Sequence, residues 1–376
     1  MLLSLAAVVV CCFTTVAVQA AVDCGLAATC EQCSILNPST CGWCVRDGSC
    51  HSVEDNSGLC ATESLILGKA ACDQPAPRYD PQLAEFLVHF AAAAYNDDPS
   101  YCMQELDNGY SVEVVISETA DWLGSKCWAF LAKNDQDRTI ILSYRGTDAM
   151  PELILEALKE LEPSGEHPIG GKVAPYFYDA HKAMWPEVEA SLTALLKLNP
   201  GYRVLVTGHS LGGSLASLAA AQIVYQKIAP SSQVTLITYG QPRVGNYEFA
   251  TNHDIIVPNS WRLVHHRDIV PHLPFCVGLG SCSSWLSSFP YHHGIEVFYP
   301  NIDMNATLPL EYKICNGKPV NEDQSCSNGI VTRHPCALDF SKCIDDHVHY
   351  FNLHFFNYGL NNCTGITKVH CNLPGC

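Results

Sequence analysis

The sequence predicts an α/β protein built on a largely parallel central sheet, with a small disulfide-rich module in front of it. Two observations carry that reading. From about residue 83 onward, short apolar and β-branched runs alternate with segments of helical composition, the pattern of parallel strands joined by helices. Before residue 73, cysteines crowd positions 24, 30, 33, 41, 44, 50, 60 and 72, a stretch too short to bury much core of its own. With 376 residues, 48% of them hydrophobic, the chain is long enough for one large core plus that module.

Residues 1–20 (MLLSLAAVVVCCFTTVAVQA) are apolar, uncharged and end in small side chains. They predict a signal peptide cleaved near Ala20 and hence a secreted, extracellular protein, although the usual basic start is missing. Cys11 and Cys12 leave with it, so nineteen of the 21 cysteines remain, an odd number. That density belongs to an oxidising compartment. Asn305-Ala306-Thr307 and Asn362-Cys363-Thr364 are sequons that fit the same route.

Residues 21–72 form the cysteine-rich module. Spacings such as Cys30-x2-Cys33 and Cys41-Gly42-Trp43-Cys44 also suit zinc, but in a secreted chain bridges are the expected use of these thiols. No pairing follows from the spacing alone. Residues 73–81 (DQPAPRYDP) carry three prolines and read as a linker. The main domain is expected over 82–357, followed by a cysteine-containing tail at 358–376.

Within the domain, Leu83–Tyr95 predicts a helix. Strands are expected at Val112–Glu118, Trp128–Lys133, Thr139–Tyr144, Arg203–Thr207, Val234–Tyr239, Arg262–His266 and Ile295–Tyr299, with a helix over Leu211–Tyr225. Net charge is −17, which excludes nucleic acid as a natural partner because nothing neutralises phosphate. Protonating all sixteen histidines would bring −17 close to −1, so mild acid, at about pH 5.5, is expected to ease approach to anionic surfaces.

Val204 to Gly213 (VLVTGHSLGG) holds the strongest chemical signal. An apolar strand enters a Gly208-x-Ser210-x-Gly212 turn and a helix leaves it. Such a turn holds a serine in a strained conformation with its hydroxyl presented as a nucleophile. Glycines two residues either side admit the crossing backbones. Leu211 opens the helix, so its N–H can meet an oxyanion above Ser210. Ser214, Ala216, Ser217, Ala219 and Ala220 let the helix lie close on the sheet.

A nucleophilic serine needs an imidazole, and the imidazole a carboxylate, in the chain order Ser, Asp or Glu, His. Asp268, after a β-branched strand and before a proline-stiffened loop, stands where that carboxylate belongs. The pair His292-His293 before the Ile295 strand offers the imidazole; His265, His266, His272, His347 and His349 are rivals.

Tyr144-Arg145-Gly146-Thr147, Gly208-His-Ser210-Leu-Gly212-Gly213, Tyr239-Gly-Gln-Pro-Arg-Val-Gly245-Asn246, Asp268-Ile-Val-Pro-His-Leu-Pro274 and His292-x-Gly294-x-Glu296 occur in one order that resembles the fungal-type class 3 lipases, over roughly 79–357. The resemblance reaches the Glu322-Asp323…Cys326-Ser327 and Asp346-His347…Tyr350-Phe351 pieces. It implies an α/β-hydrolase fold and hydrolysis of lipid esters. It implies Ser210 as nucleophile, Asp268 as orienting acid and His292, on the His-x-Gly-x-Glu spacing, as base. It also implies an oxyanion hole at Thr147 and Leu211. Thr147 suits this on its own account, since it follows a strand end and a glycine. The run from Cys24 to Cys50 similarly resembles a plexin–semaphorin–integrin-type (PSI-like) module, which implies a structural or docking role and an unknown protein partner.

The expected enzyme is a triacylglycerol lipase acting at an oil or membrane interface, by a Ser-His-Asp acyl-enzyme route that needs no metal or organic cofactor. Phospholipase A1 and non-lipid carboxylesterase share those motifs, and an inactive secreted binding protein on the same scaffold is the rival of another class. Residues 150–161 place Leu153, Ile154, Ala157, Leu158 and Leu161 on one helical stripe, either a lid or an inward-packed surface helix. Cys276 and Cys282 are a plausible local disulfide. Trp285, Leu286 and Phe289 offer an acyl-binding surface or core.

Overall fold

The structure is a computed structural model. It describes residues 78–119, 126–147, 163–275, 289–302, 310–317, 321–333 and 340–364, with 282 and 304; of the first 74 residues it describes 24, 27, 32–33, 36, 41–44, 49–52 and 65–66. The proposed lid, 150–161, and Cys276, Trp285 and Leu286 lie outside the described residues.

The chain divides into two compact units, Met1–Gln74 and Pro75–Cys376, a boundary inside the proline-rich segment. In the first unit, β1 (Cys41–Cys44) pairs antiparallel with β2 (Ser49–Ser52) and β3 (Leu65–Ile66). Disulfides join Cys24 to Cys41 and Cys33 to Cys50, each spanning 17 residues. Those sulfurs are committed to each other rather than to a metal. Buried Cys24, Ala27, Cys33, Cys41 and Cys50, with Trp43 against them, form its small apolar cluster.

The second unit begins with α1 (Pro81–Ala93), capped by Asp80, whose carboxylate accepts from the N–H groups of Gln82 and Leu83. Helix α2 (Ser100–Leu106) follows. The strands of its central sheet are β4 (Ser111–Thr119), β5 (Lys126–Asn134), β6 (Thr139–Tyr144), β7 (Arg203–His209), β8 (Val234–Tyr239), β9 (Ser260–His265), β10 (Ile295–Tyr299) and β11 (Lys313–Ile314). They lie side by side in chain order. Strands β6 to β10 are parallel, and β4, β5 and β11 are antiparallel additions. The expected strands are all present, within a few residues at their ends; β9 stops at His265, and His266 turns away with φ 40°.

Helices fill both faces. Alternate strand residues serve opposite cores, as a two-residue period requires. Ile141, Leu205, Ile237, Leu263 and Val297 face one core, with Phe86, Leu87 and Phe90 of α1. Ile140, Leu142, Val204, Val206 and Leu236 face the other, with Met184 and Val188 of α3 (Pro175–Leu198) and Ala216, Ala219 and Ala220 of α4 (Leu211–Tyr225). The remaining helices are α5 (Tyr247–Ile256), α6 (Ser327–Arg333), α7 (Phe340–Val348) and α8 (Phe355–Leu360).

The segment 340–364 is tied back to the start of the domain. Asn96 Nδ2 donates to the Gly359 carbonyl at 2.8 Å, His89 Nδ1 lies 2.8 Å from the Tyr358 hydroxyl, and Cys102 is bonded to Cys363 across 261 residues. A bridge over so long a loop restricts the unfolded chain strongly, by about 5.5 kcal/mol in the chain-entropy model. Replacing both Cys102 and Cys363 by serine is therefore expected to cost about 2–5 kcal/mol. Denaturant unfolding checks this; an unchanged midpoint would mean the link contributes nothing.

Candidate active site

Strand β7 ends at His209, and Ser210 occupies the turn into α4 with φ 57° and ψ −128°, the left-handed side that a serine adopts only under constraint. The constraint is visible. Ser210 N–H donates to the Tyr239 carbonyl at 2.9 Å, and Gly213 N–H donates to the Ser210 carbonyl at 3.0 Å. A Cβ on Gly208 would strike the Gly212 carbonyl, and one on Gly212 the Tyr144 carbonyl. Strand, helix and the end of β6 thus close on one point, and only glycine admits the approach.

From β6 comes the Tyr144-to-Thr147 motif. Arg145 donates through Nε to the Ala94 carbonyl at 2.5 Å, reaches Asp97 at 3.0 Å and lies over the Trp128 ring. So anchored, it delivers Gly146 against the elbow, where an added Cβ would lie 3.3 Å from Ser210 Cβ. Thr147, half-buried, follows directly, and Leu211 N–H belongs to the first turn of α4, where helical donors have no partner within the helix.

Asp268 lies three residues beyond β9 and is fully buried. Its carboxylate accepts from Val270 N–H at 2.9 Å and from the Tyr350 hydroxyl at 2.7 Å. The third donor is His347 Nδ1, 2.9 and 3.0 Å from the two carboxylate oxygens. Burial, then the neighbouring Asp268, push the Tyr350 phenol well above its usual range, so it stays a donor. The pair sits against the turn after β8. A Cβ on Gly240, which has φ 57°, would lie 2.6 Å from Asp268 Oδ2 and 2.7 Å from His347 Nδ1. Gly240 follows Tyr239, the residue whose carbonyl holds Ser210 N–H, so elbow and acid–imidazole pair share one support. Among the described residues, Ser210 Oγ and His347 Nε2 are both buried without a hydrogen-bond partner.

A family model described as lipase (class 3) matches residues 141–278. A lipase of Caenorhabditis elegans is 33% identical over 301 residues, covering 76% of this chain and 83% of its own. The chain belongs to the class 3 lipase family. A lipase of Rhizomucor miehei is 32% identical, over 63% of this chain and 57% of its own length. The solved triacylglyceride lipase of that organism superimposes with a TM-score of 0.57 at 26% identity, over 74% of this chain and 97% of the other. The fold is that of the α/β-hydrolases, and this class 3 lipase is an ester hydrolase.

The imidazole beside Asp268 is not the one that the His-x-Gly-x-Glu spacing selects. His292 Nε2 donates instead to the Pro271 carbonyl at 2.7 Å, and its backbone N–H donates to Glu322 Oε1 at 3.1 Å. Burial, with Arg262 and Arg243 nearby, pushes it well below the usual imidazole range. His293 is likewise buried, 3.3 Å from Gln241 Nε2 and with its ring 3.9 Å from that of His253. Glu296 accepts from Ser327 N–H and faces Arg262 at 3.9 Å. The motif is therefore the centre of a buried polar cluster. The keystone is Arg243, bidentate on Glu322 at 2.9 and 2.8 Å. Arg243 also holds the Asp268 loop, donating from its backbone to Leu273 and from Nη1 to the Pro274 carbonyl. Against burial, which favours the neutral acid, Arg243 keeps the Glu322 carboxyl below its usual range.

By sequence His347 is only one of the rival imidazoles. A signal for it exists: it follows Asp268 in the required chain order, and Tyr350 three residues on supplies the phenol that Asp268 accepts. Phe289, of the proposed acyl surface, is half-buried, and Cys282 is disulfide-bonded.

Burial also corrects the charge expectation. It pushes His89, His167 and His272 down to about 4 and His181 and His253 to about 3, and His209, His292 and His293 well below the usual value. These eight rings cannot contribute positive charge to the folded protein in mild acid. The unfolded chain takes up those protons below about pH 6.5, while the folded chain does not. The stability these neutral rings contribute is complete above that pH and is lost as pH falls toward their folded values. Urea midpoints measured from pH 7 to 4.5 are expected to decline steadily; a flat profile would contradict the buried neutral rings.

Proposed function

We propose that this class 3 lipase hydrolyses carboxylic esters of lipids through an acyl-enzyme on Ser210, with His347 as general base and Asp268 as its orienting acid. The observation that carries the reading is the His347 Nδ1 bond to a fully buried Asp268, which leaves Nε2 as the proton acceptor beside the strained elbow. Ser210 Oγ attacks the ester carbonyl as His347 Nε2 takes its proton. Asp268 steadies the imidazolium. The tetrahedral oxygen is received by the N–H groups of Thr147 and Leu211. His347 returns the proton to the leaving alcohol, and water, activated by the same imidazole, releases the acid. No step calls for a metal or organic cofactor.

Acylglycerols are the substrate class we favour, supported by relatives named as lipases and by a secreted mono- and diacylglycerol lipase of Penicillium cyclopium, 27% identical over 71% of this chain. Partial glycerides are accordingly the second substrate to test beside triacylglycerol. Secretion fits the apolar leader and the disulfides Cys24–Cys41, Cys33–Cys50, Cys102–Cys363 and Cys315–Cys326. The cysteine-rich unit is read as a PSI-like docking module.

Two substitutions separate the imidazoles. His347→Ala is expected to lower kcat on a soluble ester by about 10⁴-fold or more, whereas His292→Gln keeps kcat within about tenfold and loses stability. The reverse pattern would return the base to His292. Ser210→Ala should fold and lose turnover together with fluorophosphonate labelling; ester hydrolysis retained by that variant would sink the enzyme mechanism altogether. Emulsified tri-, di- and phosphoglycerides against a monomeric short-chain ester then rank the substrate classes.

A further inference from the structure

Helix α7 ends one residue after His347, and the last carbonyls of a helix have no partner within it. Three successive ones meet imidazole rings. The Asp345 carbonyl lies 2.9 Å from His349 Nδ1, that of Asp346 3.0 Å from His265 Nδ1, and that of His347 2.9 Å from His209 Nε2. His349 belongs to the strand just after α7, whereas His265 and His209 stand at the ends of β9 and β7. The helix that delivers His347 is thus capped from the sheet itself.

The two sheet histidines differ. His209 donates from Nε2 to the His347 carbonyl and accepts at Nδ1 from the Tyr95 hydroxyl at 2.8 Å, so one neutral tautomer satisfies both sides. Its ring stacks on Phe355 at 3.8 Å. His265 has acceptors on both sides. Beyond Asp346, its Nε2 lies 3.0 Å from the Asn301 carbonyl and 3.1 Å from that of Ile302. Carbonyl oxygens only accept, so every contact is met only when both nitrogens carry hydrogen. The ring sits, almost fully buried, at the C-terminal end of α7.

The charged and titratable groups around it are already engaged. The Asp346 carboxylate lies 2.9 Å from His266 Nδ1 and accepts from Arg267 N–H, and Asp345 lies 3.1 Å from His349 Nδ1. The Tyr350 hydroxyl accepts from His265 N–H at 3.1 Å while donating to Asp268. A cavity of about 260 Å³, lined by His265, Asp345, Asp346 and His349 among others, adjoins this face.

We infer that His265 is a positioning residue of this enzyme: donating from both ring nitrogens, it clamps the Asp346 carbonyl to the 301–302 loop and thereby fixes the next residue, His347, against Asp268. His209 holds the adjoining carbonyl from the other side. His265 touches neither substrate nor reacting atoms; it acts through the backbone. The inference rests on His347 being the base proposed above.

Two measurements test it. Histidine-labelled wild-type protein at pH 7 should show, by proton–nitrogen correlation NMR, a His265 ring with both nitrogens protonated; a neutral single tautomer overturns the clamp. In the second, His265→Phe, which keeps the ring and removes both donors, is compared with His265→Asn, which keeps a donor toward Asp346. The Phe variant should lose about 10–100-fold in kcat on a soluble short-chain ester, with KM within about twofold, as expected of a displaced general base. The Asn variant should recover most of that loss. A folded Phe variant with wild-type kcat overturns the inference. The NMR experiment needs no variant and decides even where the Phe protein is insoluble. Failure of this inference alone leaves His347→Ala inactive, whereas failure of the base assignment leaves His347→Ala active.

Discussion

A carboxylate with no access to water can stay ionised inside a protein only if donors converge on it, and the site of this lipase is organised around that requirement. Asp268 has three such donors: the backbone of Val270, the Tyr350 phenol and the His347 imidazole. Each comes from a different local structure. Val270 belongs to the short helical turn after β9, Tyr350 to the strand after α7, and His347 to α7 itself. Losing any one would leave buried charge uncompensated, at a cost of a few kcal/mol. The position of the imidazole is therefore coupled to the integrity of both segments.

The loop bearing Asp268 needs its own foundation, and Arg243 and Glu322 provide it. An ion pair buried this deeply gains little net stability over a well-packed apolar pair, because both charges leave water. Its value here is directional. A planar guanidinium, bidentate on one carboxylate and donating to the Pro274 carbonyl, sets where that loop can lie. His292, Asn321 and Asn328 extend the same network, so the most conspicuous histidine motif of the chain is masonry beneath the site.

That division explains what could be read in advance. Strands such as Thr139–Tyr144, Val234–Tyr239 and Ile295–Tyr299, buried nearly throughout, declared themselves as apolar runs with sharp ends. The elbow was legible because a strand, two spaced glycines and a helix of small residues follow from one steric demand. Asp268 was legible from its place at a strand end. The imidazole was not, because spacing along the chain carries no record of which ring a distant carboxylate will meet. His292 and His347 both obey the chain order, and only the three-dimensional course of residues 340–364 separates them. Nor does the net charge of −17 disclose that half of the histidines are sealed from protons.

The covalent tie between Cys102 and Cys363 has a further meaning for how the molecule comes into being. Hydroxyl, elbow and carboxylate are all laid down before residue 269, whereas the ring proposed to complete them arrives on a stretch fastened to the very beginning of the domain. On the chemistry proposed here, a polypeptide released too early could assemble most of its sheet and still be inert. On that chemistry the site is complete only once residues 340–364 have folded back onto the start of the domain.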